Sequence, residues 1–245
     1  MRNIKISLEY DGTNYSGWQW QKDTDLTIQQ VLEDCLTKLN KSKVKVIGAG
    51  RTDAGVHAEN QVANFELDVP IPLKNINKAI NTILPKDIRC KDPEIMPQDF
   101  HARYDAKGKK YRYRISNQSY LSVFKRNYVY NIYQKINFAK MAKAIKFFEG
   151  KHDFASFMAS GSDIDNTVRT INKIEMLQYD DEYWIVIIGN GFLYKMVRII
   201  VGTLIEVGLD KKEIRDIPYI FADQDRVKAG FTAPAKGLTM VKVYY

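Results

Sequence analysis

The apolar residues of this chain follow one succession of periods twice: strand, helix, strand, strand, helix, strand. No other property of the sequence restricts the fold as much. In residues 2–10, RNIKISLEY, the side chains Ile4, Ile6 and Leu8 alternate as on a strand. In TIQQVLEDCLTKLN, the residues Ile28, Val31, Leu32, Cys35, Leu36 and Leu39 recur at helical spacing. Thr27 and Gln30 give that helix a capping-box start. Residues 43–50, KVKVIGAG, read as a strand running into a loop, and 61–68, QVANFELD, as a strand that pairs with it. Leu73, Ile76, Ile80 and Ile83 form a helical stripe that ends before Pro85, and DIRCKDPEIM is a weaker strand after it.

The second half repeats the order. KKYRYRISN (109–117) alternates as a strand, and NFAKMAKAIKFFEG (137–150) reads as a helix with Asn137 as its cap and Gly150 as its stop. TINKIEMLQYD and EYWIVIIGN are two strands around a tight DDE turn. Residues 192–208, FLYKMVRIIVGTLIEVG, form a mostly apolar helix, and GLTMVKVYY closes the chain as a strand. This split order is the ferredoxin-like motif. The expected fold is therefore α+β, with two ferredoxin-like halves, 1–104 and 105–245, built on mainly antiparallel sheets.

Composition narrows the setting. At 45% hydrophobic and 27% charged, 245 residues are enough for a sizeable core. YWIVIIG and IIVGTLI fall short of the ~18 apolar residues of a membrane span. The opening MRNIKISLEYDG meets an acid at Glu9 and has no signal-peptide core. Two cysteines, Cys35 and Cys90, support neither a disulfide framework nor a zinc site, and Cys35 belongs to the apolar stripe. His57, His101 and His152 are scattered, so no metal is expected. A cytoplasmic protein is the expectation. The net charge of +8 favours a polyanionic partner, nucleic acid above all.

Residues 48–57, GAGRTDAGVH, place Arg51 and Asp53 among three glycines, Gly48, Gly50 and Gly55. A dinucleotide fingerprint needs glycine where Asp53 stands, and a P-loop needs Lys-Ser/Thr at its end. A carboxylate also repels phosphate. What remains is a carboxylate presented by a tightly turned loop, or an aspartate capping its own turn. In KGKKYRYR (107–114), Tyr111 and Tyr113 share one strand face, while Lys110, Arg112 and Arg114 share the other. A base can stack on tyrosine while cations hold phosphates. The alternative is a half-buried strand with its tyrosines in the core, which suits Tyr113 and leaves Tyr111 open. Lys195 and Arg198, at i and i+3 in the apolar helix, share a side. Lys195 can snorkel. Arg198 needs an acid if buried, and Asp53 is the attractive partner. Taken singly, Arg169 in VRTI reads as a surface arginine, and Leu238 in the tail as core.

Read together, these segments resemble the tRNA pseudouridine synthase A family nearly end to end. The matching stretches are LEYDGTNYSGWQWQ, GAGRTDAGVHAENQVANF, FHARYDAKGKKYRYRI, VRTI, FLYKMVRIIVG and PAKGLTMVKV. The resemblance implies two ferredoxin-like domains forming a central RNA-binding cleft, and a homodimer that grips tRNA with both subunits. It implies isomerisation of uridine to pseudouridine at positions 38–40 of the anticodon stem-loop, with no cofactor. Asp53 matches the family's nucleophile, and Tyr111 the tyrosine that contacts the target uracil. Arg51 matches the arginine that helps hold the flipped nucleotide, and Arg198 the cation paired with the aspartate. Arg169 and Leu238 match further pocket residues. Gln29 and Gln30 depart from the usual Gln-Gly, and 156–167, SFMASGSDIDNT, does not map onto the family. Two other functions suit the basic charge and the tyrosines. One is a synthase acting on ribosomal or other RNA, and the other is an RNA-binding module without catalysis.

Overall fold

The computed structural model of the protein describes residues 1–24, 26–161 and 164–245. The chain is α+β with mostly antiparallel strands. It forms two compact units, one of Met1–Lys107 with Thr239–Tyr245 and one of Gly108–Leu238. Among the described residues no helix is long and apolar enough to cross a membrane.

The first unit runs β1 (Arg2–Tyr10), α1 (Ile28–Asn40), β2 (Ile47–Gly48), β3 (His57–Leu67), α2 (Leu73–Ile83) and β4 (Ile88–Ile95). β1 lies between β3 and β4, antiparallel to both, with Ile6 opposite Ala63 and Leu8 opposite Cys90. Ile4, Ile6 and Leu8 are wholly buried. Each such side chain contributes about 1.5–3 kcal/mol of transfer free energy. α1 buries Ile28, Leu32, Cys35 and Leu36, and the Cys35 thiol donates to Ile80 O of α2. Thr27 caps α1 by accepting from the Gln30 N–H. The Gln30 amide in turn donates to Asp34 one turn on.

The strand expected over 43–50 shortens to Ile47–Gly48, paired with Asn64 and Ala63. Val44 and Val46 are buried, which produces the alternation in the sequence. The backbone there, however, bonds to side chains of α1. Thr37 Oγ1 accepts from the Val44 N–H, Glu33 Oε1 accepts from the Val46 N–H, and the Gln29 amide donates to Val46 O. A segment whose main-chain groups are satisfied by a helix does not need a neighbouring strand.

The second unit runs β5 (Gly108–Ser116), β6 (Tyr130–Asn131), α3 (Phe138–Ala144), β7 (Gly150–Asp153), β8 (Val168–Tyr179), β9 (Glu182–Gly189), α4 (Met196–Gly208) and α5 (Asp216–Asp223). Its strands order as β5-β9-β8-β7, antiparallel throughout, while short β6 lies parallel to β5. Asn137 caps α3 through the Lys140 N–H. The helix tightens to a 3₁₀ turn over Ile145–Phe148 before Gly150. α4 is shorter than expected because Lys195 adopts a left-handed conformation at φ 57° and stands outside it. Lys195 and Arg198 therefore do not share a helix face, and the Lys195 ammonium sits 4.7 Å from the centre of the Tyr194 ring.

An ionic cluster around the buried Glu182 closes the β8–β9 end of this unit. Glu182, 3% exposed, receives Arg114 Nε at 2.7 Å and Nη2 at 2.8 Å. Lys125 Nζ lies 3.0 Å away, and Trp184 Nε1 donates at 2.9 Å. Burial pushes the Glu182 carboxyl up, but the bonds from Arg114, Trp184 and Lys125 outweigh it and hold the group at about 2. The last strand, β10 (Leu238–Tyr244), joins the first unit from Thr239 onward. There it lies parallel to β3, with Thr239 opposite His57 and Met240 opposite Ala58. The Tyr245 hydroxyl donates to Ala102 O at 2.7 Å.

Candidate active site

Residues 49–56 connect β2 to β3 and carry Arg51 and Asp53. Their course is fixed by buried neighbours. Gln61, fully buried, donates its amide to Gly50 O at 2.7 Å. Thr52 is 7% exposed; its hydroxyl bonds to the Tyr10 hydroxyl at 2.8 Å, and its C=O accepts from the Trp18 N–H. Burial pushes the Tyr10 hydroxyl up to about 12, against the hydrogen bonds with Thr52 and Gln61, so it stays neutral. The turn after Asp53 is closed by main chain, the Val56 N–H donating to Asp53 O.

Segment 12–18 clamps this loop from the β1 side. The Gly55 N–H donates to Tyr15 O, and the Gly12 N–H donates to His57 Nδ1. Gly17 has φ +92°, and a Cβ there would stand 2.6 Å from Thr52 O, so no other residue fits without moving the backbone beside Asp53. Gly48 is required by approach: a Cβ would meet the buried Trp18 ring at 2.4 Å. These contacts explain why glycines bracket the acid. Asp53 itself is half-buried. Arg51 is exposed and makes no hydrogen bond or ion pair among the described residues, so the two side chains are not a salt bridge with each other.

In the second unit Tyr111, 6% exposed, and Tyr113, fully buried, share the inner face of β5. The Tyr111 ring meets the Phe192 ring edge-on, 5.2 Å between centres. The Tyr113 hydroxyl donates to Pro234 O, and its ring lies where a Cβ on Gly237 would stand. Burial pushes that hydroxyl well up, partly offset by the charge of Arg198. On the opposite face of β5 Lys110, Arg112 and Arg114 are half-buried. Arg112 lies 4.5 Å over the Trp184 ring, and Arg114 is bound to Glu182.

Arg198 on α4 is fixed at its Nε, which donates to Ala233 O at 2.7 Å, while the Ala233 N–H donates to Arg198 O. Arg169, at the start of β8, donates Nη1 to Asn166 O and Val168 O. Its side chain would lie 3.6 Å from a Cβ on Gly191, beside Phe192. Desolvation lowers the Arg169 pKa. Leu238, 5% exposed, follows the 3₁₀ turn of Ala235–Gly237. Thus Arg51 and Asp53 share one loop of the first unit. In the second, Tyr111 and Arg169 converge around Gly191 and Phe192, and Arg198 stands near Tyr113. Among the described residues no group of three or more His, Cys, Asp or Glu could hold a metal ion. Of 156–167, Ser162 and Asp163 lie outside the described residues.

Sequence reasoning singled out Asp53 and Arg51 but not Tyr10, Gly17, Trp18 and Gln61, which hold their loop. All four lie in the matching stretches LEYDGTNYSGWQWQ and GAGRTDAGVHAENQVANF, but the meeting of those two stretches is a tertiary event.

A family model described as tRNA pseudouridine synthase matches residues 6–105 and 144–245. The chain is 50% identical to tRNA pseudouridine synthase A of Ruminiclostridium cellulolyticum over the whole of both chains. It is 48% identical to tRNA pseudouridine synthase A of Acetivibrio thermocellus, again over the whole of both. It is 46% identical to tRNA pseudouridine synthase A 2 of Clostridium tetani, over 100% of this chain and 99% of that one. With a family match over both halves and relatives this similar from end to end, the chain belongs to the tRNA pseudouridine synthase family.

Proposed function

We propose that this tRNA pseudouridine synthase acts on uridines 38–40 of the anticodon stem-loop, with Asp53 as its catalytic carboxylate and no cofactor. The supporting observation is the Asp53 loop. Three separate stretches of the first unit bury Tyr10, Trp18 and Gln61 to hold one half-buried acid in a loop shared with an exposed arginine.

The chemistry asks for little else. The N1–C1′ bond of uridine breaks, the base turns, and a C5–C1′ bond forms. C5 loses its proton and N1 gains one, so no net oxidation occurs. An ionised Asp53 can attack the sugar or base covalently, or remove a sugar proton and let the base leave by elimination. Both routes need the carboxylate deprotonated. Arg198 is the proposed partner of that charge, because a desolvated guanidinium calls for an acid.

Extruding the uridine costs a few kcal/mol. Stacking on Tyr111 returns about 1–3 kcal/mol per base. Arg51 is proposed to occupy the vacated space, with Arg169 and Leu238 lining the base pocket. The net charge of +8 supplies a grip on phosphates that salt weakens. The active form is proposed to be a homodimer in the cytoplasm. Sedimentation of the free protein at a single monomer mass, with full activity, would overturn the dimer.

Mapping pseudouridine across total RNA, with and without the gene, tests target choice. The expected result is loss at tRNA positions 38–40 alone. Loss in ribosomal RNA with tRNA unchanged would assign the enzyme another substrate.

A further inference from the structure

Residues 96–105, between β4 and β5, have no regular structure, yet buried side chains hold them. Asn3, 2% exposed, donates its amide to Pro97 O at 2.8 Å and Phe100 O at 3.1 Å. Asn64, 4% exposed, donates to Asn3 Oδ1 and accepts from the Ala102 N–H at 2.9 Å. Asn3 O accepts from the Met96 N–H, and the Tyr245 hydroxyl donates to Ala102 O. Nearer the tip, His101 Nδ1 accepts from the N–H groups of Arg103 and Tyr104, and Asp105 accepts from the His101 N–H.

What this scaffold displays is Tyr104. Its side chain is 76% exposed, with the ring stacked on His101 at 4.1 Å between centres and the Arg103 guanidinium 5.9 Å from its centre. A single exposed tyrosine is ordinary. Here the ring rests on a second ring, in a loop whose main chain at Pro97, Phe100 and Ala102 is bound by two buried asparagines, and that makes a prepared surface. Buried amides cost stability unless fully bonded, and this network bonds them to the loop that carries the ring.

We propose that Tyr104 is a stacking platform for an unpaired nucleobase of the bound tRNA, a substrate-binding residue separate from the Asp53 loop. The inference rests on the enzyme's acting on tRNA. Flat aromatic faces accept any base, so the contact adds affinity without reading sequence. Around it, Arg103 and Lys107 are balanced by Asp99 and Asp105. The contribution is therefore stacking rather than phosphate neutralisation, which separates it from the salt-sensitive grip.

The test uses the full chain and steady-state tritium release from tRNA carrying uridine tritiated at C5. Tyr104→Ala is expected to raise KM about ten-fold with kcat unchanged, as loss of one base–aromatic stack implies. Tyr104→Phe restores KM and Tyr104→Leu does not. The slope of log KM against log salt stays that of wild type, as does the sedimentation coefficient. Wild-type KM in Tyr104→Ala, or equal rescue by Phe and Leu, overturns the proposal. A smaller salt slope would make the segment a phosphate contact, and a changed mass a protein contact; either also overturns it. If wild-type protein shows no turnover on tRNA, it is the functional reading that fails. The ten-fold loss is then sought in tRNA affinity by filter binding, where its absence overturns the stacking inference separately.

Discussion

Asp53→Asn folds and binds tRNA within about three-fold of wild type, yet its tritium release falls on the order of 10⁴-fold or more, as for a lost nucleophile or essential base. The substitution keeps the shape of the side chain and the main-chain turn through Val56, and Thr52, Tyr10 and Gln61 still anchor the loop. What it removes is charge and the lone pairs that form or break bonds. The loss belongs in kcat, because the interaction exists only while bonds are changing. Arg198→Leu is expected to lose turnover as well, without a matching loss of tRNA affinity. Release by Asp53→Asn at near the wild-type rate would remove the carboxylate from the mechanism. Turnover by Arg198→Leu near the wild-type rate would separate the arginine from the acid.

Glu182→Gln lowers stability at pH 7 by about 2–3 kcal/mol, because the half-exposed Arg114 and Lys125 lose the charge of the one buried carboxylate they share. The sign with pH follows from the depressed carboxyl. Folding holds Glu182 at about 2, below the ~4.3 of an unfolded glutamate. Its contribution is thus complete above about pH 5 and fades as pH falls toward 2. Wild type loses stability through that window, and the difference from Glu182→Gln narrows with it. Denaturant midpoints at pH 7, 5 and 3 check this. A difference that is constant over the three values would mean that packing, not ionisation, carries the cluster.

Much of the fold was legible in the chain. α1, α2, β1, β5, β8 and β9 announce themselves because a half-buried element must repeat its apolar residues at its own period, whatever lies opposite. Thr27 and Asn137 mark helix starts because capping is local chemistry. Asp53, Arg51, Tyr111, Arg198, Arg169 and Leu238 were singled out by motif, and their roles stand as proposals. The elements that were misread are those where the backbone departs from the course that its apolar period suggests. Val44 and Val46 alternate as in a strand, but Thr37, Glu33 and Gln29 hold them as a loop. α4 lost its first turn to the left-handed Lys195, a conformation that no apolar period records.

The sequence by itself determined the α+β order and the loop that carries the acid, since periodicity and turn residues act over a few neighbours. Only the tertiary structure decided what Arg112 and Arg114 are for. A strand pattern sorts cations onto one face but cannot tell water from Trp184 and Glu182 beyond it. It likewise decided that segment 12–18 clamps Asp53, and that the last strand lies along β3. Such contacts join residues far apart in the chain, and their energy depends on a geometry that exists only after folding.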